Sequence, residues 1–200
     1  MEKIGESVKI KKIAITGSLS AGKSTVAELL KPLGAYVLKA DDIVHSLLSQ
    51  DVIIIQKIKE VFGNDVISET KVDRKLLADQ VFANSEKLKS LEAILHPIVV
   101  ETVRNTYALM KDSADYKAFV VEFPLLFEIG FDDWFDQIIY VTAENGIRLK
   151  RFIEKGFSEE QFKLRQNRLI PDLEKISRAH TIIENNGSLK NLNNQLTNLL

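Results

Sequence analysis

The chain has 200 residues, 45% of them hydrophobic, enough to bury one substantial core without disulfides or a structural metal and too few for two full domains. Its 28 acidic and 27 basic residues nearly cancel, so there is no overall basic field to draw it to nucleic acid, and no nucleic-acid partner is expected. The absence of cysteine excludes disulfides, thiolate zinc sites and cysteine nucleophiles.

Residues 1–12 alternate charged and apolar side chains and never assemble the continuous apolar run of a secretory leader or membrane span. The expectation is a soluble cytoplasmic protein with no membrane partner. Short apolar runs rich in β-branched residues follow at 13–16, 36–38, 119–123, 138–142 and 181–183, and they read as strands. Because they are apolar throughout, they suit a parallel sheet covered on both faces. The predicted fold is α/β: a doubly wound, parallel five-stranded sheet of the P-loop NTPase type. The core of this single domain is expected at about 11–42, 118–143 and 179–200. A helical substrate-binding insert is expected at about 43–117, shown by spacings such as Ile55, Ile58, Phe62, and a mobile lid at about 144–178 around Gly156. The Asn-rich tail, 185–198, should close the domain as a helix.

The segment Gly17-Ser18-Leu19-Ser20-Ala21-Gly22-Lys23-Ser24-Thr25 follows the first strand and opens an amphipathic helix, the context a phosphate-binding P-loop requires. Glycines let backbone amides curl around phosphate oxygens, and the helix N-terminus adds positive potential. Lys23 is placed to reach the β- and γ-phosphates, and Ser24 to ligate Mg2+. The motif leaves switch, motor and kinase open. A guanine-reading segment is matched on paper by Thr70-Lys71-Val72-Asp73, but it lies in the insert, and no Asp-x-x-Gly element accompanies it. A motor ATPase would end a strand in an acidic pair, whereas the third strand ends Val121-Glu122-Phe123-Pro124. A kinase needs a carboxylate to take the acceptor's proton, and Asp41, directly after the second strand, is the candidate base. Its alternative is to cap the helix whose run begins at Ile43.

With these residues placed, the chain resembles the dephospho-coenzyme A kinase family along nearly its whole length. The resemblance is carried, beyond the P-loop, by Leu33-Gly34-Ala35, Ala40-Asp41, Phe62-Gly63, Asp73-Arg74, Val81-Phe82 and Leu95-His96-Pro97. It continues through Pro124-Leu125-Leu126-Phe127-Glu128, Arg151, and Ile182-Ile183-Glu184-Asn185-Asn186-Gly187. It implies ATP as donor, Mg2+ as cofactor, dephospho-CoA as acceptor, and a monomer or weak homo-oligomer. Asp41 would be the base on the ribose 3′-hydroxyl. Gly17, Ser20, Ala21, Gly22, Lys23, Ser24 and Thr25 would hold the ATP phosphates, and Arg151 would neutralise charge as the phosphoryl group moves. Asn185 would sit by the adenine of ATP. His96 would shape the substrate side, its alternative being a structural histidine before a proline that stops its helix. Glu128 would orient substrate or cap a helix. Another small-molecule or nucleoside monophosphate kinase, and a non-catalytic nucleotide switch, are the competing readings.

Four positions depart from the family pattern. Ser18 replaces a glycine, a restriction if that site needs positive φ. Lys39 replaces an aspartate, Lys155 an arginine and Leu169 a glutamine, the last two within the expected lid.

Overall fold

A computed structural model describes residues 9–82, 84–197 and 199–200. Residues 1–8, on which the expected lack of a leader rests, and Asn198 near the end of the expected tail helix lie outside the described residues. In chain order, β1 (Lys11–Gly17) leads through the P-loop into α1 (Lys23–Leu30), followed by β2 (Ala35–Lys39), α2 (Ala40–Gln50), α3 (Val52–Phe62), β3 (Ile67–Ser68) and β4 (Lys71–Val72). Then come α4 (Arg74–Phe82), α5 (Ser85–Met110), β5 (Ala118–Glu122) and β6 (Gln137–Thr142). The chain ends with α6 (Asn145–Glu154), α7 (Glu159–Gln166), α8 (Asp172–Ser177), β7 (Thr181–Glu184) and α9 (Leu189–Leu196).

The structure divides into two compact units: the described residues up to Leu38 together with Tyr107–Leu200, and Lys39–Thr106. In the first, the sheet order is β2-β5-β1-β6-β7, and β1 pairs in parallel with both β5 and β6, as β6 does with β7. Alternation along the strands sends successive side chains to opposite faces. Ile13, Ile15, Val120, Ile139 and Val141 meet Val26 and Leu30 of α1 and Leu192 and Leu196 of α9 in one buried cluster. On the other face, Phe119 stacks on Tyr36 with ring centroids 5.7 Å apart and meets Tyr107 edge-on at 5.4 Å. Five strands stand where the apolar runs predict them, each extended by one or two residues at one or both ends except at the third, which starts a residue earlier and stops at Glu122. Phe123 still donates its amide to Ile15, the last bond of the ladder, and the strand stops because the chain turns at Pro124.

The 144–178 segment consists of three helices. Arg148 and Phe152 of α6 and Phe162 of α7 are buried, and Phe162 meets Phe152 edge-on at 5.4 Å. Gly156, at φ +89°, ends α6 with open space around its Cα.

The second unit is helical apart from an antiparallel hairpin in which Ile67 faces Val72 and Ser68 faces Lys71. The Thr70-Lys71-Val72-Asp73 segment forms the end of this hairpin, and the Asp73 carboxylate accepts the amides of Lys75 and Leu76 at 2.9 and 3.1 Å. A side chain so used caps α4. Two of the alternatives left open by the sequence are excluded here. Pro97 does not stop its helix: α5 runs through it from Ser85 to Met110, because the buried face Leu95, Val99, Val103 holds the turns on both sides of the lost hydrogen bond. Nor does Asp41 cap a helix. Lys39 occupies the cap position without a capping side-chain hydrogen bond, α2 begins at Ala40, and Asp41 sits exposed in its first turn.

Candidate functional site: a phosphate cradle and its braces

The cradle is built on close backbone approach. Gly17 ends β1 at φ +144°, and a Cβ there would lie 2.0 Å from the Val141 carbonyl oxygen of β6. Gly22, at φ +95°, precedes α1 and would collide with Asn185 Nδ2 at 2.3 Å. Position 17 therefore demands glycine for want of space as much as for φ, because its neighbour is backbone, whereas at Gly22 the φ is the main demand and the Asn185 side chain the nearer obstacle. The left-handed non-glycine residue of the loop is Ser20, at φ +58°, so the restriction anticipated at Ser18 falls instead two residues later.

Helix α1 starts with no side-chain cap and no acidic residue in its first turn. Its leading amides and positive end are thus left to whatever anion enters the loop. Lys23 Nζ donates to the carbonyls of Gly17 and Ser18 at 3.1 and 3.0 Å, folded back along the loop. Ser24 Oγ donates to Glu122 Oε1 at 2.7 Å. Glu122 is the last residue of β5 and is buried. Its signal in the sequence is an acid closing an otherwise apolar strand.

The structure brings Arg151 and Asn185 to this loop. Arg151 Nη1 donates to the Ala21 carbonyl at 3.2 Å and Nη2 to the Asn185 carbonyl at 2.9 Å, and Asn185 Nδ2 donates to Ala21 at 2.8 Å. The amide expected beside adenine is engaged in holding the loop. Ser20, Gly22, Thr25, Arg151, Lys155 and Asn185 line a cleft of about 410 Å³. Nearby in α7, Arg165 lies 4.4 Å from the ring centre of Phe157, and its guanidinium is held below its usual range by burial and by Arg168.

Glu128 does not join the cleft and caps no helix. It accepts an ion pair from the ammonium of Lys175, a side chain 1% exposed, and the amide of Ile170 at 3.3 Å. Its other oxygen, Oε2, is buried with no hydrogen-bond partner. A lysine buried to this degree needs an opposite charge, and Glu128 supplies it from a loop 47 positions earlier. Nothing in the local sequence around Lys175 marks it.

Ser18 is buried and hydrogen-bonded rather than merely tolerated. Its Oγ donates to Asp172 Oδ2 at 2.8 Å and lies 3.2 Å from the Tyr140 hydroxyl. Burial and the Asp172 hydrogen bond push the Tyr140 phenol far above its usual range. In the other unit, Asp41 is exposed on α2, while His45, on the same helix, shares a 2.9 Å hydrogen bond with Arg74. His96 is half-buried on α5, and burial lowers its pKa against the opposing pull of Glu92. Among the described residues no cluster of three His, Cys, Asp or Glu could hold a metal by itself, and no helix is long and apolar enough to cross a membrane.

A parallel sheet flanked by helices, with a lysine-bearing glycine loop between its central strand and an uncapped helix, defines a P-loop kinase fold. Comparison with known proteins narrows this class. A crystal structure of a Thermus thermophilus protein matches with a TM-score of 0.79 at 31% identity, covering 96% of each chain. The dephospho-CoA kinase from Campylobacter jejuni matches with a TM-score of 0.69 at 31% identity, covering 94% of each. A dephospho-CoA kinase from Chlamydia trachomatis serovar D is 44% identical over 178 residues, 88% of this chain and 88% of its own. The family model for dephospho-CoA kinase spans residues 11–191. The chain belongs to the dephospho-CoA kinase family.

Proposed function

We propose that the chain transfers the γ-phosphoryl group of ATP to the ribose 3′-hydroxyl of dephospho-CoA, giving CoA and ADP. The observation that carries this reading is the uncapped N-terminus of α1 with Ser24 bonded to Glu122 beside it, in a chain whose family match runs almost end to end. The triphosphate lies along the amides that open α1, and Lys23 exchanges the carbonyls of Gly17 and Ser18 for β- and γ-phosphate oxygens. The 3′-oxygen forms the new bond to the γ-phosphorus as the bond to the β,γ-bridging oxygen breaks, and Asp41 receives the hydroxyl proton. Arg151 turns from the Ala21 carbonyl toward the negative charge spread over the moving phosphoryl group. Asn185 acts by keeping the loop in place, and His96 belongs to the acceptor side.

Ser24 and Glu122 suit Mg2+, which takes hard oxygen donors and is usually held by one or two protein groups together with substrate phosphates. When bound, the ion neutralises charge on the phosphates. Glu122, which accepts from the Ser24 hydroxyl, would keep that hydroxyl oriented toward the ion. A cytoplasmic setting and a monomeric or weakly self-associating state complete the reading.

The test is product formation. Purified protein supplied with ATP, magnesium and dephospho-CoA should release ADP and CoA in equal amounts. ATP turnover indifferent to that acceptor, or accelerated by a nucleoside monophosphate instead, would overturn the assignment.

A further inference from the structure

Asp172 opens α8, far along the chain from the P-loop, and yet three groups converge on its carboxylate. Tyr140 donates its hydroxyl to Oδ1 at 2.6 Å, Ser18 donates to Oδ2 at 2.8 Å, and Arg148 Nη1 approaches Oδ2 at 3.5 Å. Ser18 is held at every polar atom it has: its amide donates to Val141 at 3.0 Å, its hydroxyl to Asp172, and its carbonyl accepts from Lys23 at 3.0 Å. Ser18 alone thus stands between Asp172 and Lys23, the lysine proposed to bind the triphosphate. The segment carrying Asp172 is itself anchored, since Glu128 takes both the Ile170 amide and the Lys175 ammonium.

We propose that Asp172 is a positioning residue for the nucleotide: through Ser18 it fixes the phosphate-binding loop in its receptive shape and thereby sets the affinity for ATP. This rests on the reading of ATP as the donor. The physical basis is preorganisation. A hydrogen bond to a carboxylate is stronger than one between neutral groups. A loop already held by it loses less freedom when the triphosphate arrives and Lys23 changes partners. The link is polar at both ends and half-buried at Asp172, whose side chain is 31% exposed. Bulk water alone does not replace it without cost. Leu19, next to Ser18, faces a cleft of about 450 Å³ that Asp172 also lines. The link therefore sits where a displaced loop would have room to move.

The experiment is calorimetric titration of ATP with magnesium into the full chain and into its Ser18→Ala, Asp172→Asn and doubly substituted forms. Each single change should weaken ATP binding about tenfold, and the double change should be no worse than the weaker single one, because both break one link. The KM for the acceptor should stay within about twofold, and so should kcat at saturating ATP. A purely structural role would lower the melting temperature while leaving the ATP Kd of the folded protein at its original value, and that result would overturn the proposal. So would losses that multiply in the double variant. Should Asp172→Asn not fold, Ser18→Ala decides alone, since it removes one oxygen and leaves α8 anchored through Lys175. Nucleotide binding is read without acceptor, so a chain that binds ATP in this pattern but forms no CoA would sink the functional reading and leave this one standing.

Discussion

In the proposed reaction, two carboxylates divide the chemistry at the level of single residues. Asp41 stands exposed in the first turn of α2. A base acts on the acceptor and not on the nucleotide, so Asp41→Asn should lower kcat by about 10² to 10⁴-fold with the ATP Kd unchanged. Single-turnover kinetics alongside ATP titration would show whether the two effects separate. Glu122 is buried and already bonded to Ser24. Glu122→Gln keeps the shape and removes the charge, so the magnesium concentration giving half-maximal rate should rise about tenfold or more, measured as rate against free magnesium at saturating ATP. Asp41 is legible in the sequence because it follows an apolar strand directly. The partnership of Glu122 with Ser24 is not, because it depends on β5 lying beside β1, which only the sheet order supplies.

Helices and strands show why some of the fold could be read and some could not. Strands buried on both faces leave an unbroken apolar run, as β1, β5 and β6 do, and the partly exposed edge strands β2 and β7 left shorter ones. A hairpin of two residues per strand leaves no such trace, so β3 and β4 were invisible within a region expected to be helical. Pro97 carries a stop signal that the flanking apolar face overrides. Segment 170–175 owes its place to the Glu128–Lys175 pair, joined across 47 positions. Replacing Glu128 by alanine strands a buried ammonium and should cost about 3–5 kcal/mol in chemical unfolding, whereas removing both charges with Glu128→Gln and Lys175→Met should restore part of that loss. Helix α5 makes a pH-dependent contribution through His96. Burial lowers its pKa from 6.5, so the unfolded chain takes up the proton first as pH falls. The contribution is complete above the unfolded value and is lost on acidification through and below it. The melting temperature should decline from pH 7 toward pH 5.5, and His96→Gln should flatten that decline.

The whole molecule is close to electrically neutral, at −1, and its folded state should depend more on bound nucleotide than on salt. Ligand that binds only the folded form stabilises it by mass action, about 2.7 kcal/mol at a hundred times Kd. ATP at that excess should raise the unfolding free energy by this amount in the intact chain, and by less in the Ser18→Ala form at the same ATP concentration. Hydrogen exchange should locate the protection in the P-loop, in α6 around Arg151 and at Asn185. At this scale the fold class and the family were within reach of the sequence, since both rest on order and spacing. The braces on the loop, Arg151 and Asn185 to Ala21 and Asp172 to Ser18, join residues at least 130 positions apart, and no local pattern records them.

Gly17 gives the motif a second meaning. Its missing side chain makes room for a neighbouring strand's carbonyl rather than for a phosphate. The opening letter of the signature therefore encodes how tightly two parallel strands are drawn together, while the letters after it encode anion capture. A scan that scored every loop position by enzymatic rate would merge these two kinds of demand. Scored by yield of soluble chain as well, the same scan would separate the architectural glycine from the chemical residues that follow it.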